Sequence, residues 1–247
     1  MPGFLVNPED VTGDKLIIRD DEAHHLVRVR RHGVGDLVDV LDGNGRLFRV
    51  LVESEERGRV YCRVVQCTQE GGESAVRLHL ATSMIKGNRF GLIVEKGTEV
   101  GIASISAFVS ERTVFTMGTE TKRNRWERLV VAAAKQCDRS RVPRVYEPAP
   151  LAEIVDKLSC TCELVLMAHH NPGGNDLKDV LGTEPRVEMG LLVGPEGGFT
   201  TAEINAAENA GVRTFSWGTR NLRTETACIV LAGIVIHEAE SNLIGGE

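Results

Sequence analysis

The residues with the clearest chemical capacity lie in two loops of the last third of the chain. Glu196 sits in Gly194-Pro195-Glu196-Gly197-Gly198, and Arg220, Arg223 and Glu225 fall between Gly218 and Ala227. Carboxylates can take up or release a proton, and guanidinium groups can stabilise negative charge that develops on a substrate. Three glycines among five residues permit unusual backbone angles and let a ligand approach the main chain with no Cβ in the way. The spacing is neither the G-x-G-x-x-G dinucleotide fingerprint nor a phosphate loop, which would end in Gly-Lys-Ser/Thr. Taken alone, these glycines suit a plain strand-to-helix turn equally well.

The elements that must hold these loops are legible. Val187 to Val193 is a short apolar run between Pro185 and Gly194-Pro195, the pattern of a buried strand. Thr200 with Glu203 forms a capping box, so a helix starts there, and Gly211 is a suitable residue to end it. Val212 to Trp217 reads as a second strand, Gly218 to Arg223 as a second loop, and Glu225 to His237 as a helix apolar nearly all round. In open α/β sheets ligands bind beyond the carboxyl ends of the strands, where both loops lie. Glu225, first after Thr224, is equally suited to capping its own helix.

Earlier segments repeat the alternation of strand and helix. Leu78 to Thr82 is a strand, and Lys86-Gly87-Asn88-Arg89 opens a helical segment reaching Glu99. Ile102 to Val109 is β-rich, and Leu164 to Ala168 is a strand ending at His169-His170. An amphipathic helix over Thr121 to Asp138 carries Lys122, Arg123, Arg125 and Arg128 in its first turns, with Trp126, Leu129, Val130 and Ala133 as its apolar stripe. Cations at a helix N-terminus oppose the macrodipole, so an anion or a neighbouring carboxylate is expected beside them. Gln136, Arg139 and Arg141 follow, and Pro143 stops the helix. Strands alternating with helices imply a mostly parallel sheet.

Residues 1 to about 70 differ. Runs such as LVDVL, LFRVLV and VYCRVV are separated by turn signals, with Asp42-Gly43 and Asn44-Gly45 the strongest hairpin signal, which predicts a small all-β barrel. His24, His25, Arg28, Arg30 and Arg31 fall on a short helix before it closes. Thr68 to Ala75 is polar, carries two glycines and reads as a linker.

With 42% hydrophobic and 26% charged residues, the chain is an ordinary globular protein and not a disordered one. No secretory signal precedes the first element, and the unbroken apolar run Cys228 to Ile236 is too short to span a bilayer, so a cytoplasmic protein is expected. The six cysteines are expected as reduced thiols, and Cys160 and Cys162, one residue apart with no second pair at zinc-site spacing, give no metal centre. The net charge of −6 hides an asymmetry: −4 over residues 1–76, +7 over 77–145 and −9 over 146–247. A basic middle can draw a polyanion to one face, and it can equally be a solvated charged surface.

GPEGGFTTAE (194–203), followed by G-x-R-x-L-R-T-E-T-A (218–227), is similar to the paired signature of the RsmE family, SPOUT-class methyltransferases acting on N3 of a uridine in small-subunit ribosomal RNA. The likeness extends through KGTEVGI (96–102), AAAKQCDRSRVP (132–143) and HHLVRVRRHGVGD (24–36), which is nearly the whole chain. Trp217 and Asn221 stand where the family pattern has aliphatic residues, and Phe90-Gly91 where it has a charged or polar pair.

The resemblance implies an α/β protein with a PUA-like RNA-binding β-barrel at 1–70, a linker at 71–76 and a SPOUT domain at 77–247 whose C-terminal segment forms a trefoil knot. It implies S-adenosylmethionine as cofactor, held by Val193, Gly194, Pro195, Glu196, Gly197 and Gly198 and by Trp217, Gly218, Leu222, Arg223, Thr224 and Ala227. It implies 16S ribosomal RNA of the small subunit as partner, with His25, Arg28, Arg30, Arg31, Lys86, Arg89, Arg123, Arg125, Gln136 and Arg139 at the RNA, and a homodimer completing the pocket. N3 of uracil carries a proton at neutral pH and lies on the pairing edge, so the base must leave its stack and a group must take the proton. Glu225 is the first candidate for that base and Glu196 the second, with Arg223 and Arg220 stabilising charge on the uracil carbonyls. Two alternatives remain from the residues: a SPOUT ribose 2′-O-methyltransferase, and a non-catalytic RNA-binding assembly factor.

Overall fold

A computed structural model of the chain describes residues 3–86, 88–114, 120–171 and 173–244. Two compact units are present: residues 1–73 with 130–142, and 74–129 with 143–247. The segment 130–142, which sequence reading places in the second domain, therefore clusters with the first unit.

The first unit is built on one six-stranded sheet. Strands β1 (Phe4–Leu5), β2 (Val11–Thr12), β3 (Lys15–Ile18), β4 (Leu37–Leu41), β5 (Arg46–Glu56) and β6 (Arg59–Gln69) lie in the order β1-β4-β5-β6-β3-β2. Period-two alternation turns Val38 and Val40, Phe48, Val50 and Val52, and Val60 and Cys62 into one core, to which helix α1 (Asp20–His24) and the π turn His25–Val29 add Ala23 and Leu26. The sheet curls around that core, as the turn-punctuated pattern predicts. The Asp42 carboxylate knits the β4–β5 turn, accepting from Asn44 N at 2.8 Å, Arg46 N at 3.0 Å and Arg46 Nε at 2.6 Å.

The stretch read as a linker is anchored. The Glu73 side chain is only 7% exposed and accepts from Arg139 Nη2 at 2.6 Å and from the Arg141 amide at 2.9 Å. Arg139, which sequence reading places at the RNA, is only 3% exposed, and its guanidinium is engaged with Glu73 inside the unit. Polarity was the signal for a linker, but a polar side chain with a buried partner has the same composition as one in solvent.

The second unit is an α/β layer structure. Its elements are β7 (Arg77–Ser83), α2 (Arg89–Val100), β8 (Ser104–Val109), the start of α3 (Glu120–Gln136), whose residues from Val130 on cluster with the first unit, β9 (Arg144–Pro150), α4 (Leu151–Thr161), β10 (Leu164–Ala168), α5 (Leu177–Leu181), β11 (Glu188–Val193), α6 (Thr201–Asn209), β12 (Arg213–Phe215) and α7 (Thr224–Ile244). The strands form one sheet, all pairs parallel, in the order β12-β10-β11-β7-β8-β9. Buried on both faces, β10 and β11 after its first residue read as unbroken apolar runs, LVLMA and MGLLV, rather than alternating ones. The capping box predicted at Thr200 and Glu203 is present, and Gly211 takes a left-handed φ of 88° just past α6.

Helix α7 is longer than sequence reading set it, running on through a polar last turn. By length and composition Thr224–Leu243 is apolar enough to cross a membrane. The structure gives this helix another reason to be apolar: Thr224, Cys228, Leu231, Val235 and Ala239 form a buried face at helical spacing, packed toward β7, β11 and α2.

Candidate active site

The carboxyl ends of β10, β11 and β12 open into one cavity of about 150 Å³. Its walls come from three segments: Ala168-His169-His170 after β10, residues 193–196 with Gly198 and Phe199 after β11, and Trp217, Arg220, Asn221, Leu222, Thr224, Ala227 and Leu231 from the β12–α7 loop and α7.

The glycine loop owes its shape to packing. A Cβ on Gly194 would stand 3.0 Å from the Phe199 ring, and Gly198 has a φ of 68°, a left-handed angle that disfavours other residues. Arg112 Nη1 donates to the Gly197 carbonyl at 2.7 Å and pins the loop from the β8 side. Thr224 Oγ1 donates to the Gly194 carbonyl at 3.2 Å and ties the start of α7 to the same loop. The two sequence motifs are thus joined directly.

The two candidate bases occupy different environments. Glu196 lines the cavity with its side chain 49% exposed. Its own backbone N–H is the main influence and holds its carboxyl below the usual range; burial opposes this, and Arg89 and Lys86 add to the lowering. A carboxylate held low is a weak proton acceptor. Glu225 is 7% exposed, and its Oε2 is buried with no hydrogen-bond partner. It stands beside the cavity-lining Thr224 rather than in the lining itself. Cys228, one turn along α7, is pushed up to about 12 by burial and stays a neutral thiol, donating to Thr82 Oγ1 at 3.3 Å. His169 is held below its ordinary value by burial, with His170 adding to the effect, so it presents a neutral imidazole to the cavity at neutral pH.

This lining fits S-adenosylmethionine. Apolar walls from Val193, Pro195, Leu222, Ala227 and Leu231 suit an adenine ring, glycine backbone at 194 and 198 admits close approach, Glu196 suits a cationic group and Arg220 a carboxylate.

Comparison with known proteins decides the family. Residues 72–236 match the RNA methyltransferase domain family and residues 18–65 the RNA methyltransferase PUA domain. The chain is 30% identical to the ribosomal RNA small subunit methyltransferase E of Synechocystis, covering 91% of this chain and 73% of that protein. The chain belongs to the RsmE family. It is also 27% identical to the Bacillus subtilis member, with 90% of each chain covered. A Neisseria gonorrhoeae ribosomal RNA small subunit methyltransferase E, solved bound to S-adenosyl methionine, superposes with a TM-score of 0.82 at 27% identity, over 95% of this chain and 96% of that one.

In this RsmE chain, nine of the twelve residues expected at the cofactor line the cavity: Val193, Gly194, Pro195, Glu196, Gly198, Trp217, Leu222, Thr224 and Ala227. Gly197, Gly218 and Arg223 lie outside the lining, although Gly197 shapes the loop through its carbonyl. Of the catalytic candidates, Arg220 and Glu196 reach the cavity, while Arg223 is exposed nearby. Sequence reading missed Ala168, His169, His170, Phe199 and Leu231. The strand ending at His169-His170 was recognised, but only the sheet order, with β10 between β11 and β12, shows that its end belongs to the same opening.

The residues expected at the RNA scatter. Arg28 and Arg31 are exposed on and just after the π turn, and His25 packs edge-on against Phe4 at 5.9 Å. Arg30 is half-buried, Lys86 and Gln136 are exposed, and Arg125 Nη1 donates to Asn88 Oδ1 at 3.0 Å. Arg123 lies outside the described side chains. Arg89 turns toward the two glutamates, its Nη1 2.6 Å from Glu196 Oε1 and 3.6 Å from Glu225 Oε2. No group of three or more potential ligands able to hold a metal occurs among the described residues.

Proposed function

We propose that the protein methylates N3 of a uridine in 16S ribosomal RNA of the small subunit, using S-adenosylmethionine, as the names of its relatives imply. The observation that carries the reading is the joining of the glycine loop to the start of α7 around one cavity, through Thr224 and the Gly194 carbonyl.

Bound in that cavity, the cofactor supplies a methyl group made electrophilic by a positively charged sulfur. The protein's own residues do the rest. Val193, Gly194, Gly198, Leu222 and Ala227 hold the cofactor, and Glu196 faces its positive charge. The uridine must be unpaired or turned out of its stack to present N3. Glu225 Oε2, with no hydrogen bond of its own, accepts the N3 proton, while Arg220 and Arg223 stabilise the charge that spreads to the uracil oxygens. Holding the two reactants in attack geometry supplies much of the acceleration.

Two structural expectations belong to the same reading. A knotted C-terminal segment is expected, and the reading is supported by edge strand β12 being followed by a helix, α7, that packs against β7, β11 and α2 on the far side of β10 in the strand order. The protein is a homodimer through the outer face of α7 and its neighbour α2, where Val230 is 39% and Leu92 40% exposed. Sedimentation of Val230→Glu checks the second expectation, since a dimeric wild type and a monomeric variant are predicted.

The test of function is transfer of labelled methyl groups to small subunits that lack the modification, with the product nucleoside identified by mass spectrometry. N3-methyluridine supports the reading. A 2′-O-methylated nucleoside moves the protein to another SPOUT reaction, and saturable RNA binding without transfer makes it an assembly factor.

A further inference from the structure

Arg89 is in an unusual place. It is the first residue of α2, where the macrodipole disfavours a cation, and neighbouring contacts hold that helix start firmly. Asn88 Oδ1 accepts from Arg125 at 3.0 Å, and Phe90, 1% exposed, packs against Trp126 with ring centroids 4.5 Å apart. The guanidinium then bends back, Nε donating to the Lys86 carbonyl at 3.3 Å, and Nη1 meets two carboxylates from elements more than a hundred positions away.

Those two contacts are unequal. The hydrogen bond goes to Glu196, at 2.6 Å, while Glu225 Oε2 stays at 3.6 Å and makes no hydrogen bond at all. The bidentate pair that gives a guanidinium its strongest hold on a carboxylate is not made with the buried Glu225. Here the buried oxygen receives positive charge nearby yet keeps its lone pairs unengaged, an unsatisfied atom of the kind that calls for a functional explanation. A carboxylate taken out of water with no cation beside it tends to take up a proton, and a protonated carboxyl cannot serve as base. The charged or titratable groups recorded against Glu225 among the described residues are Arg89 from α2 and Cys228 on its own helix; Glu196 shares the Arg89 nitrogen from the glycine loop. The thiol stays neutral, which leaves Arg89 as the cation.

We propose that Arg89 is a positioning residue for methyl transfer: one guanidinium nitrogen, tethered to Glu196, supplies the counter-charge for the buried Glu225 carboxylate and leaves the Oε2 lone pairs free of any hydrogen bond that would compete with the N3 proton. This rests on Glu225 being the base. It gives Arg89 a role distinct from the RNA contact expected from sequence, because its guanidinium is committed to carboxylates rather than to phosphate.

The test measures kcat and KM for small subunits across pH in Arg89→Met, Arg89→Lys and Glu225→Gln, with S-adenosylmethionine titration and melting curves for each. Arg89→Met is expected to displace the acid limb of the kcat profile upward by about one unit, so that kcat falls about tenfold on the acid side of the limb and is regained as pH rises above it. Guanidinium at sub-denaturing concentration should restore part of the loss, and Arg89→Lys should keep the limb close to wild type. The proposal is overturned if Arg89→Met changes only KM, which would make Arg89 an RNA ligand. It is also overturned if kcat falls equally at every pH without guanidinium rescue, which is the mark of a purely structural residue. Should Arg89→Met fail to fold, Arg89→Lys decides: a wild-type limb supports the role, and a displaced limb despite the retained charge refutes it. Glu225→Gln reports separately on the underlying reading, because full activity there removes the base while leaving the Arg89 profile interpretable.

Discussion

Gly194→Ala is the sharpest probe of why the cofactor loop has its shape. The added Cβ would lie 3.0 Å from Phe199 Cε2 and 3.2 Å from Cδ2 and Cζ. The ring has nowhere to retreat: Phe199 is 4% exposed and stacks on Phe108, itself fully buried, at 5.9 Å. Overpacking of a filled site costs roughly 1–3 kcal/mol. Arg112 and Thr224 tie the loop through the Gly197 and Gly194 carbonyls, so strain released by shifting it distorts the cavity wall. If the whole cost falls on the bound state, affinity for S-adenosylmethionine drops by roughly 5- to 150-fold. Calorimetric titration of wild type, Gly194→Ala, Phe199→Leu and the double variant measures this, and the double variant should recover much of the affinity because the smaller side chain makes room. Gly198→Ala is the contrast: nothing lies within 4 Å of its Cβ, so its loss comes from the left-handed φ and Phe199→Leu should not relieve it. Wild-type affinity and melting temperature in Gly194→Ala would refute the packing argument, and so would a double variant no better than Gly194→Ala.

Glu225→Gln should lower turnover while leaving cofactor affinity within about threefold, roughly 0.7 kcal/mol, since Glu225 lies outside the cavity lining; kinetics beside calorimetry check it. Asp42 predicts a pH dependence. Burial alone would raise its carboxyl, but hydrogen bonds from the Arg46 side chain and amide and the Asn44 amide hold it below the ordinary value. Its stabilising contribution is therefore present above the unfolded carboxylate range and lost as pH falls through the folded value, so Asp42→Asn should flatten the acid limb of stability below about pH 4. Urea melts between neutral pH and pH 3 would show this, and an unchanged slope would count against it. Burial pushes Cys62 and Cys228 up to about 12, whereas Cys67 and Cys160 are exposed. Alkylation of the folded protein near pH 8 with mass mapping should therefore label Cys67 and Cys160 first, and early labelling of Cys228 would contradict its burial.

What the sequence made legible follows from the range of its signals. β10 was placed to the residue and α6 with its capping box, because apolar runs and caps are local. The two cofactor loops were legible for the same reason: glycines and charges concentrate within a few positions. Ala168, Phe199 and Leu231 carry no such mark, since small and apolar residues look alike in a cavity wall and in a core. The Arg89 contacts were beyond reach for another reason. Its carboxylate partners lie 107 and 136 positions later in the chain, and only the order β11-β7-β8 brings the start of α2 beside the glycine loop.

The charge asymmetry shows where counting along a chain misleads. The +7 segment from 77 to 145 suggested a basic face, because acidic partners distant in sequence are invisible to a running sum. In the folded units many of those cations already have carboxylates: Arg77 pairs with Glu188, Arg89 with Glu196, Lys96 with Glu95 and Glu99, Lys135 with Glu22, Arg139 with Glu73 and Arg141 with Glu70. Most of these acids come from the two acidic segments, so the excess of one stretch neutralises the deficit of the others. A phosphate contact needs a cation whose counter-ion is mobile, because affinity for a polyanion comes largely from released counter-ions and not from cations already fixed to carboxylates. The exposed Arg28, Arg31, Lys86, Arg125 and Arg128 meet that condition better than the paired set. Replacing Arg28 or Lys86 should therefore weaken RNA binding and flatten its salt dependence, whereas replacing Arg139 should act on stability first.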